Sequence, residues 1–259
     1  MIEVNNTKKP IDISKIHTLF FDLDNTLYPK SCGLAGQVSK RITQYMGNIL
    51  QLPEEQVDKI RNQYYQTYGL TLKGLMQHHS VDIHHYLDYV HGGLELQNFL
   101  KNDDRLRAIL GSINPLIKKI IFSNADLGHC QRVMKALNIN DQFDGILEYL
   151  ELMDYSKPHP TSYQMAMKKA QTTDPSGCVF FDDVVDNLVA AKDAGFITVL
   201  VGSSTDNVNV DFSISEIHDL VTIFPHLIMP QHNLQASTSE IINTASSESS
   251  TLITSEASS

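Results

Sequence analysis

Asp22 and Asp24 flank one leucine at the end of a short apolar run, residues 17–21 (HTLFF). Two carboxylates so spaced on a turn leaving a strand can converge on one point. One can then attack an electrophile while the other moves protons. Such a pair alone says little, because turns are rich in aspartate. A second acidic pair, Asp182-Asp183, closes another apolar run, residues 177–181 (GCVFF). If the two runs are parallel strands, their C-terminal ends lie side by side and the carboxylates crowd together. Buried like charges are costly without compensation. A hard divalent cation with oxygen ligands supplies it, and Mg2+ fits best, so Asp22, Asp24, Asp182 and Asp183 form the expected metal set. Two further positions suit an anionic group. Ser123-Asn124 follows the run 118–122 (KKIIF) and offers a hydroxyl and backbone N–H groups near a helix start. Lys157 places a cation just before the helix that Pro160 opens.

The elements that must position these residues are legible in the apolar pattern. Runs 17–22, 118–122, 177–181 and 196–201 are continuous rather than alternating, which suits parallel strands covered on both faces. Helical spacing separates them over 127–137, 160–170 and 184–194, with Gly195 as a natural stop. Strand and helix alternating in this rhythm predict an α/β fold with a doubly wound parallel sheet. Residues 29–101 break the rhythm. Leu34, Val38, Ile42, Met46 and Ile49 form one helical stripe, a second helix opens near Pro53-Glu54, and 72–76 and 86–90 suggest two more. The expected organisation is a core domain of 1–28 and 102–230, a helical insertion of 29–101, and a disordered Ser/Thr-rich tail of 231–259, which contains no Lys or Arg. The insertion leaves the sheet at a strand C-terminus, where open α/β sheets bind ligands.

Composition narrows the partners. A net charge of −10 with no basic run disfavours polymeric nucleic acid. No apolar run reaches the length, about 18 residues, of a membrane span. The N-terminus does not read as a secretory signal. Three cysteines, far apart and without a CxxC pair, predict free buried thiols and a cytoplasmic location. His78, His79, His84, His85 and His91 cluster in the insertion, but their spacing does not suit one metal ion. Tyr64, Tyr65 and Tyr68 read as packing residues before they read as a base-stacking surface.

Taken in order, DLDNT at 22–26, Ser123-Asn124, Lys157-Pro158 and Asp182-Asp183 resemble the four motifs of the haloacid dehalogenase-like hydrolase superfamily. The stretches 68–79, 86–91, 121–139 and 181–196 resemble its pyrimidine 5′-nucleotidase branch. The resemblance implies a Rossmann-like core with an inserted all-helical cap. It implies a Mg2+-dependent phosphomonoesterase acting through an aspartyl-phosphate on a small phosphorylated metabolite, a pyrimidine nucleoside monophosphate. Asp22 would be the nucleophile and Asp24 the acid and base, with its backbone carbonyl toward the metal. Thr26 would brace the nucleophile loop, with Ser123, Asn124 and Lys157 holding the phosphoryl oxygens. Tyr68 and His79 of the cap would meet the substrate. A sugar-phosphate phosphatase, a phosphomutase, or a non-enzymatic binding protein on the same fold are the alternatives. One departure is Val184, where relatives often carry a polar residue; Asn187 of the same loop is retained.

Overall fold

Residues whose side chains alternate between two apolar layers make the strands of this chain. The structure, a computed structural model, describes residues 3–4, 11–207 and 209–229. The strands are β1 (Glu3–Val4), β2 (Thr18–Phe21), β3 (Lys118–Phe122), β4 (Gly145–Leu147), β5 (Cys178–Asp182), β6 (Ile197–Val201) and β7 (Phe212–Ile214). They form one sheet in the order β1-β7-β6-β5-β2-β3-β4, parallel throughout except for β1, which runs antiparallel to β7. The helices are α1 (Leu34–Asn48), α2 (Glu54–Tyr68), α3 (Thr71–His78), α4 (Ile83–Leu87), α5 (Asp104–Ser112), α6 (Leu127–Ala136), α7 (Tyr149–Leu152), α8 (Pro160–Ala170), α9 (Val185–Asp193) and α10 (Leu220–Ile223).

Along β2, Leu19 and Phe21 enter one layer and Phe20 the other, and β5 repeats this with Val179 and Phe181 against Phe180. The first layer is closed by Leu106 and Leu110 of α5, Cys130, Val133 and Met134 of α6, and Leu220 of α10. The second is closed by Tyr163 and Ala166 of α8 and by Leu188 and Ala191 of α9. The sheet is therefore wound on both faces, as the continuous apolar runs predict. Phe21 and Phe181 stack across the central strand pair at 4.9 Å, and each such fully buried ring contributes about 1.5–3 kcal/mol. The two strands that carry the acidic motifs are thus held by the densest part of the core.

Between β2 and β3 the chain is helical. A separate cluster of Tyr45, Met46, Val57, Leu72, Leu75, Tyr86, Leu87 and Val90 holds α1 to α4 together, joined by Tyr149 of α7. Leu34, Leu94, Leu96 and Leu100, at the two ends of this stretch, pack into the sheet layer instead. The expected stripe on α1 differs in detail: Ile49 is exposed and Tyr45 buried, because Tyr45 packs edge-on against Tyr86 and Tyr89. The short strands β1, β4 and β7 were not expected from the apolar pattern. Of the thiols, Cys130 and Cys178 are buried and Cys32 is only partly so. The tail 231–259 lies outside the described residues. No helix among the described residues is long and apolar enough to cross a membrane.

Candidate active site

Register brings the motifs together. Phe21 pairs with Phe181 and with Ile121, so one step further Asp22 stands level with Asp182 on one side and Phe122 on the other. The Asp22 N–H continues the ladder by donating to the Phe181 carbonyl at 2.8 Å. The loop that follows is pinned from below: Leu23 and Leu27 are fully buried, and the Leu27 N–H closes a turn on the Leu23 carbonyl at 3.0 Å. Asn25 takes a left-handed conformation (φ 63°), which Asn tolerates better than most side chains. Asp22 and Asp24, on alternate positions, are left pointing away from the core layer.

Lys157 is the centre of charge. It is 2% exposed, and its Nζ donates to Asp22 Oδ1 and Asp182 Oδ2, both at 2.8 Å. Its ammonium also sits over the Phe122 and Phe180 rings, at 5.1 and 5.0 Å from their centroids. The loop that carries it is tied to the end of β3 by Asn124, whose amide donates to the Lys157 carbonyl at 2.9 Å and accepts its N–H at 3.0 Å. The Asn124 side chain therefore positions Lys157, and only its backbone remains for an anion. Ser123 Oγ accepts the Ala125 N–H at 3.0 Å, which leaves its proton to donate elsewhere. Thr26 is buried and its hydroxyl has no hydrogen-bond partner among the described residues.

Asp22, Asp182 and Asp183 each place a carboxylate oxygen within 4.8 Å of the others. Three carboxylates facing one ammonium leave an excess of negative charge. Burial outweighs the Lys157 charge and lifts Asp22 well above the usual carboxylate range, with Asp182 and Asp183 adding to it. Burial and then the Asp182 charge raise Asp183 to about 6. The Lys157 ammonium, which burial alone would weaken, is held above its ordinary value by Asp182 and Asp22. This set of hard oxygen donors with surplus charge fits a divalent cation. Asp182 is fully buried and is held by donors on both oxygens: Oδ1 accepts the Val184 N–H at 2.8 Å, and the Asn187 amide lies 3.1 and 3.0 Å from its two oxygens. The apolar side chain at Val184 costs this network nothing visible, because the backbone N–H does the bonding.

The Asp24 carboxylate stands apart from the acidic cluster and is engaged elsewhere. Oδ1 accepts the Tyr28 hydroxyl at 2.5 Å and lies 2.7 Å from His129 Nε2. Burial would raise its pKa, but the His129 charge and the two hydrogen bonds outweigh that and bring it down to about 2. His129 itself has only an amphipathic-helix pattern to announce it in the sequence, and Tyr28 only a place four residues after Asp24. His91, one of the five insertion histidines, bonds Asp126 and packs on the His129 ring with centroids 4.5 Å apart.

The expected substrate contacts of the insertion are engaged with their neighbours. Tyr68 lies 2.7 Å from His78, and His79 lies 3.1 Å from Tyr64. Gly69, just beyond Tyr68, does approach the Lys157-Pro158 segment closely, so the end of α2 rests on the lysine loop. Tyr65 of α2 also responds to the site's charge. It is 54% exposed, and partial burial and then the charges of Asp183 and Asp182 raise its pKa. A cleft of about 380 Å³ opens beside Asp183, lined by Asn25, Thr26, Tyr28, Lys30 and Ser203 among others. Neither Tyr68 nor His79 lines it.

Comparison with known proteins bears on the family and the fold. Phosphate metabolism protein 8 of Saccharomyces cerevisiae is 30% identical over 206 residues, covering 74% of this chain and 64% of that protein, so the match spans a little under two thirds of the relative's length. Among solved structures, a HAD phosphatase from Thermococcus onnurineus superposes with a TM-score of 0.56 at 13% identity, covering 80% of this chain and 97% of that one. L-2-haloacid dehalogenase from Xanthobacter autotrophicus gives 0.52 at 16% identity, covering 80% and 98%. At such identities these two speak to the fold alone. The family model of the haloacid dehalogenase-like hydrolases matches residues 16–195, which span β2 to the end of α9 and every motif described above, and the chain belongs to that family of hydrolases.

Proposed function

We propose that this hydrolase is a Mg2+-dependent phosphomonoesterase that works through an aspartyl-phosphate on Asp22. The observation that carries the reading is Asp24. A carboxyl group two residues from the nucleophile, with one oxygen fixed by Tyr28 and His129 and the side chain 33% exposed, is placed for proton transfer rather than for ligation. Displacement of an alkoxide from phosphorus needs that proton, whereas displacement of a halide does not.

His129 and Tyr28 keep Asp24 ionised in the free site, so its proton arrives with the bound phosphate monoanion; Asp22 Oδ2, the oxygen not taken by Lys157, then attacks phosphorus as Asp24 gives that proton to the departing oxygen. Asp24 then takes a proton from water as that water attacks the acyl phosphate, which regenerates Asp22. Lys157, the Ser123 hydroxyl and the backbone N–H groups around Asn124 offset the charge on the phosphoryl oxygens. Asp22, Asp182 and Asp183, with the Asp24 carbonyl, would hold Mg2+, which when bound supplies electrostatic stabilisation of the phosphoryl charge. Thr26, with its unpaired buried hydroxyl, braces the loop or receives a phosphoryl oxygen.

The helical stretch of 29–101 serves as the cap that selects the substrate. The likeness of 68–79 and 86–91 to pyrimidine 5′-nucleotidases supports a pyrimidine nucleoside monophosphate, and Tyr65 is an exposed aromatic side chain that feels the charge of Asp183 and Asp182. Free thiols suit a cytoplasmic setting. Purified protein assayed with Mg2+ against UMP, CMP, hexose phosphates and 4-nitrophenyl phosphate tests the reading. Turnover of the pyrimidine nucleotides that is lost in Asp22→Asn supports it. Hexose phosphates turned over in their place would remove the nucleotidase assignment, and no phosphate release from any ester would remove the phosphatase.

A further inference from the structure

The two donors to Asp24 converge on the same oxygen. Tyr28 and His129 both reach Oδ1, while Oδ2 takes no hydrogen bond among the described residues. A carboxyl group clamped in this way cannot rotate freely, and the oxygen it presents to the site is always Oδ2. The clamp is itself braced. His129 is 1% exposed on the first turn of α6, its N–H donates to the capping Asp126 at 3.0 Å, and its ring lies against the His91 ring with a tilt of 31°. His91 bonds the other oxygen of Asp126. His91 does not belong to the core elements: it lies in the helical stretch Asp88–Gly92 at the end of the insertion. Arg132, one turn further along α6, donates to the carbonyls of His91, Gly92 and Leu94 and so fastens this same segment to the helix.

We infer that His129, braced by His91 and Asp126, is a positioning residue that fixes the Asp24 carboxyl with Oδ2 toward the leaving group. The inference rests on the phosphatase reading above. It goes beyond that reading by assigning a role to three residues outside the four motifs. The physical argument is geometric. A carboxylate left free beside the Asp22, Asp182 and Asp183 cluster could instead turn inward to share a cation with them. Nε2 of His129, 2.7 Å from Oδ1, holds it where it stands instead.

The test separates acid placement from general damage. Phenyl phosphate and 4-nitrophenyl phosphate differ little in size, but only the first has a leaving group that depends strongly on protonation. Their kcat/KM values report the steps up to departure of that group, before water enters. His129→Leu should lower kcat/KM for phenyl phosphate by roughly 10²-fold, the lower range for loss of a general acid, and for 4-nitrophenyl phosphate by much less. His129→Gln keeps an N–H near the position of Nε2 and should recover most of the difference. His91→Ala should shift the same ratio in the same direction by a smaller factor, and it serves as the deciding variant if His129→Leu does not fold. Equal losses on the two esters in the folded variants would overturn the inference and leave the phosphatase reading standing. A parent enzyme inactive on both esters would overturn both.

Discussion

Replacing Lys157 by methionine removes one buried charge and keeps nearly the same length of side chain. Asp22 and Asp182, each bonded to its Nζ at 2.8 Å, would then face one another without a counter-ion. Removing one partner of a buried ion pair costs about 3–5 kcal/mol. For a chain of this size that corresponds to a fall of roughly 6–20 °C in melting temperature. The cost depends on pH in a defined direction. Asp22 is already raised above its unfolded value in the parent, and Asp183 is raised to about 6. Groups raised on folding add most stability below their unfolded pKa, about 4, and lose it as pH rises through the folded value. Losing Lys157 raises the carboxylates further, so the penalty should be small near pH 4 and should grow across pH 4 to 6 and beyond. Thermal melts of parent and Lys157→Met in chelator, at pH 5 and pH 8, give the comparison. A difference between the two proteins that is the same at both pH values, or smaller at pH 8, would refute the buried-charge argument.

Other outcomes follow from the same geometry. Without divalent cation the parent should lose stability as pH rises through about 6, where Asp183 ionises, and Mg2+ at a hundredfold excess over its dissociation constant should return ~2.7 kcal/mol at pH 8, read as a rise in melting temperature. Asn187→Leu removes the amide that spans both Asp182 oxygens and should cost about 1–3 kcal/mol in urea unfolding, with a larger loss of Mg2+ affinity than a distant surface change produces. Tyr65→Ala should raise KM for a pyrimidine nucleotide by roughly 2- to 10-fold, the range expected for one aromatic contact, with 4-nitrophenyl phosphate nearly unaffected; equal effects on both would remove Tyr65 from substrate recognition.

The central strands could be read from sequence because they are buried on both faces. Such runs carry no polar interruption, and 118–122 coincides with β3 while 160–170 coincides with α8, which Pro160 opens. Strands β4 and β7 are three residues each at or near the sheet edge, too short to carry a period, and they passed unseen. The acidic pairs were legible for a related reason: each ends a buried run, and parallel register must bring such ends together. What the sequence could not display is side-chain direction. Nothing in a string of letters turns the Asp24 carboxylate from Asp22 toward His129, a residue 105 positions later in the chain. His129 reads as the polar side of an amphipathic helix, and only the packing of α6 beneath the loop reveals its partner. The same limit applies to Asn124, which looks like an anion contact and instead ties down the Lys157 loop. It applies again to the tyrosines of α2, of which Tyr68 is turned to His78 while the charges of Asp183 and Asp182 reach Tyr65.

The covalent intermediate is the most direct point of contact with experiment. Parent protein mixed with Mg2+ and an excess of 4-nitrophenyl phosphate, quenched in acid within the first turnover and digested, should yield one peptide carrying an added phosphoryl group. Fragmentation should place that group on Asp22, and the peptide should accumulate in Asp24→Asn, where the attacking water lacks its base. A phosphoryl group on another residue, or steady turnover by Asp22→Asn within about tenfold of the parent, a difference of only ~1.4 kcal/mol in barrier, would contradict a nucleophilic Asp22.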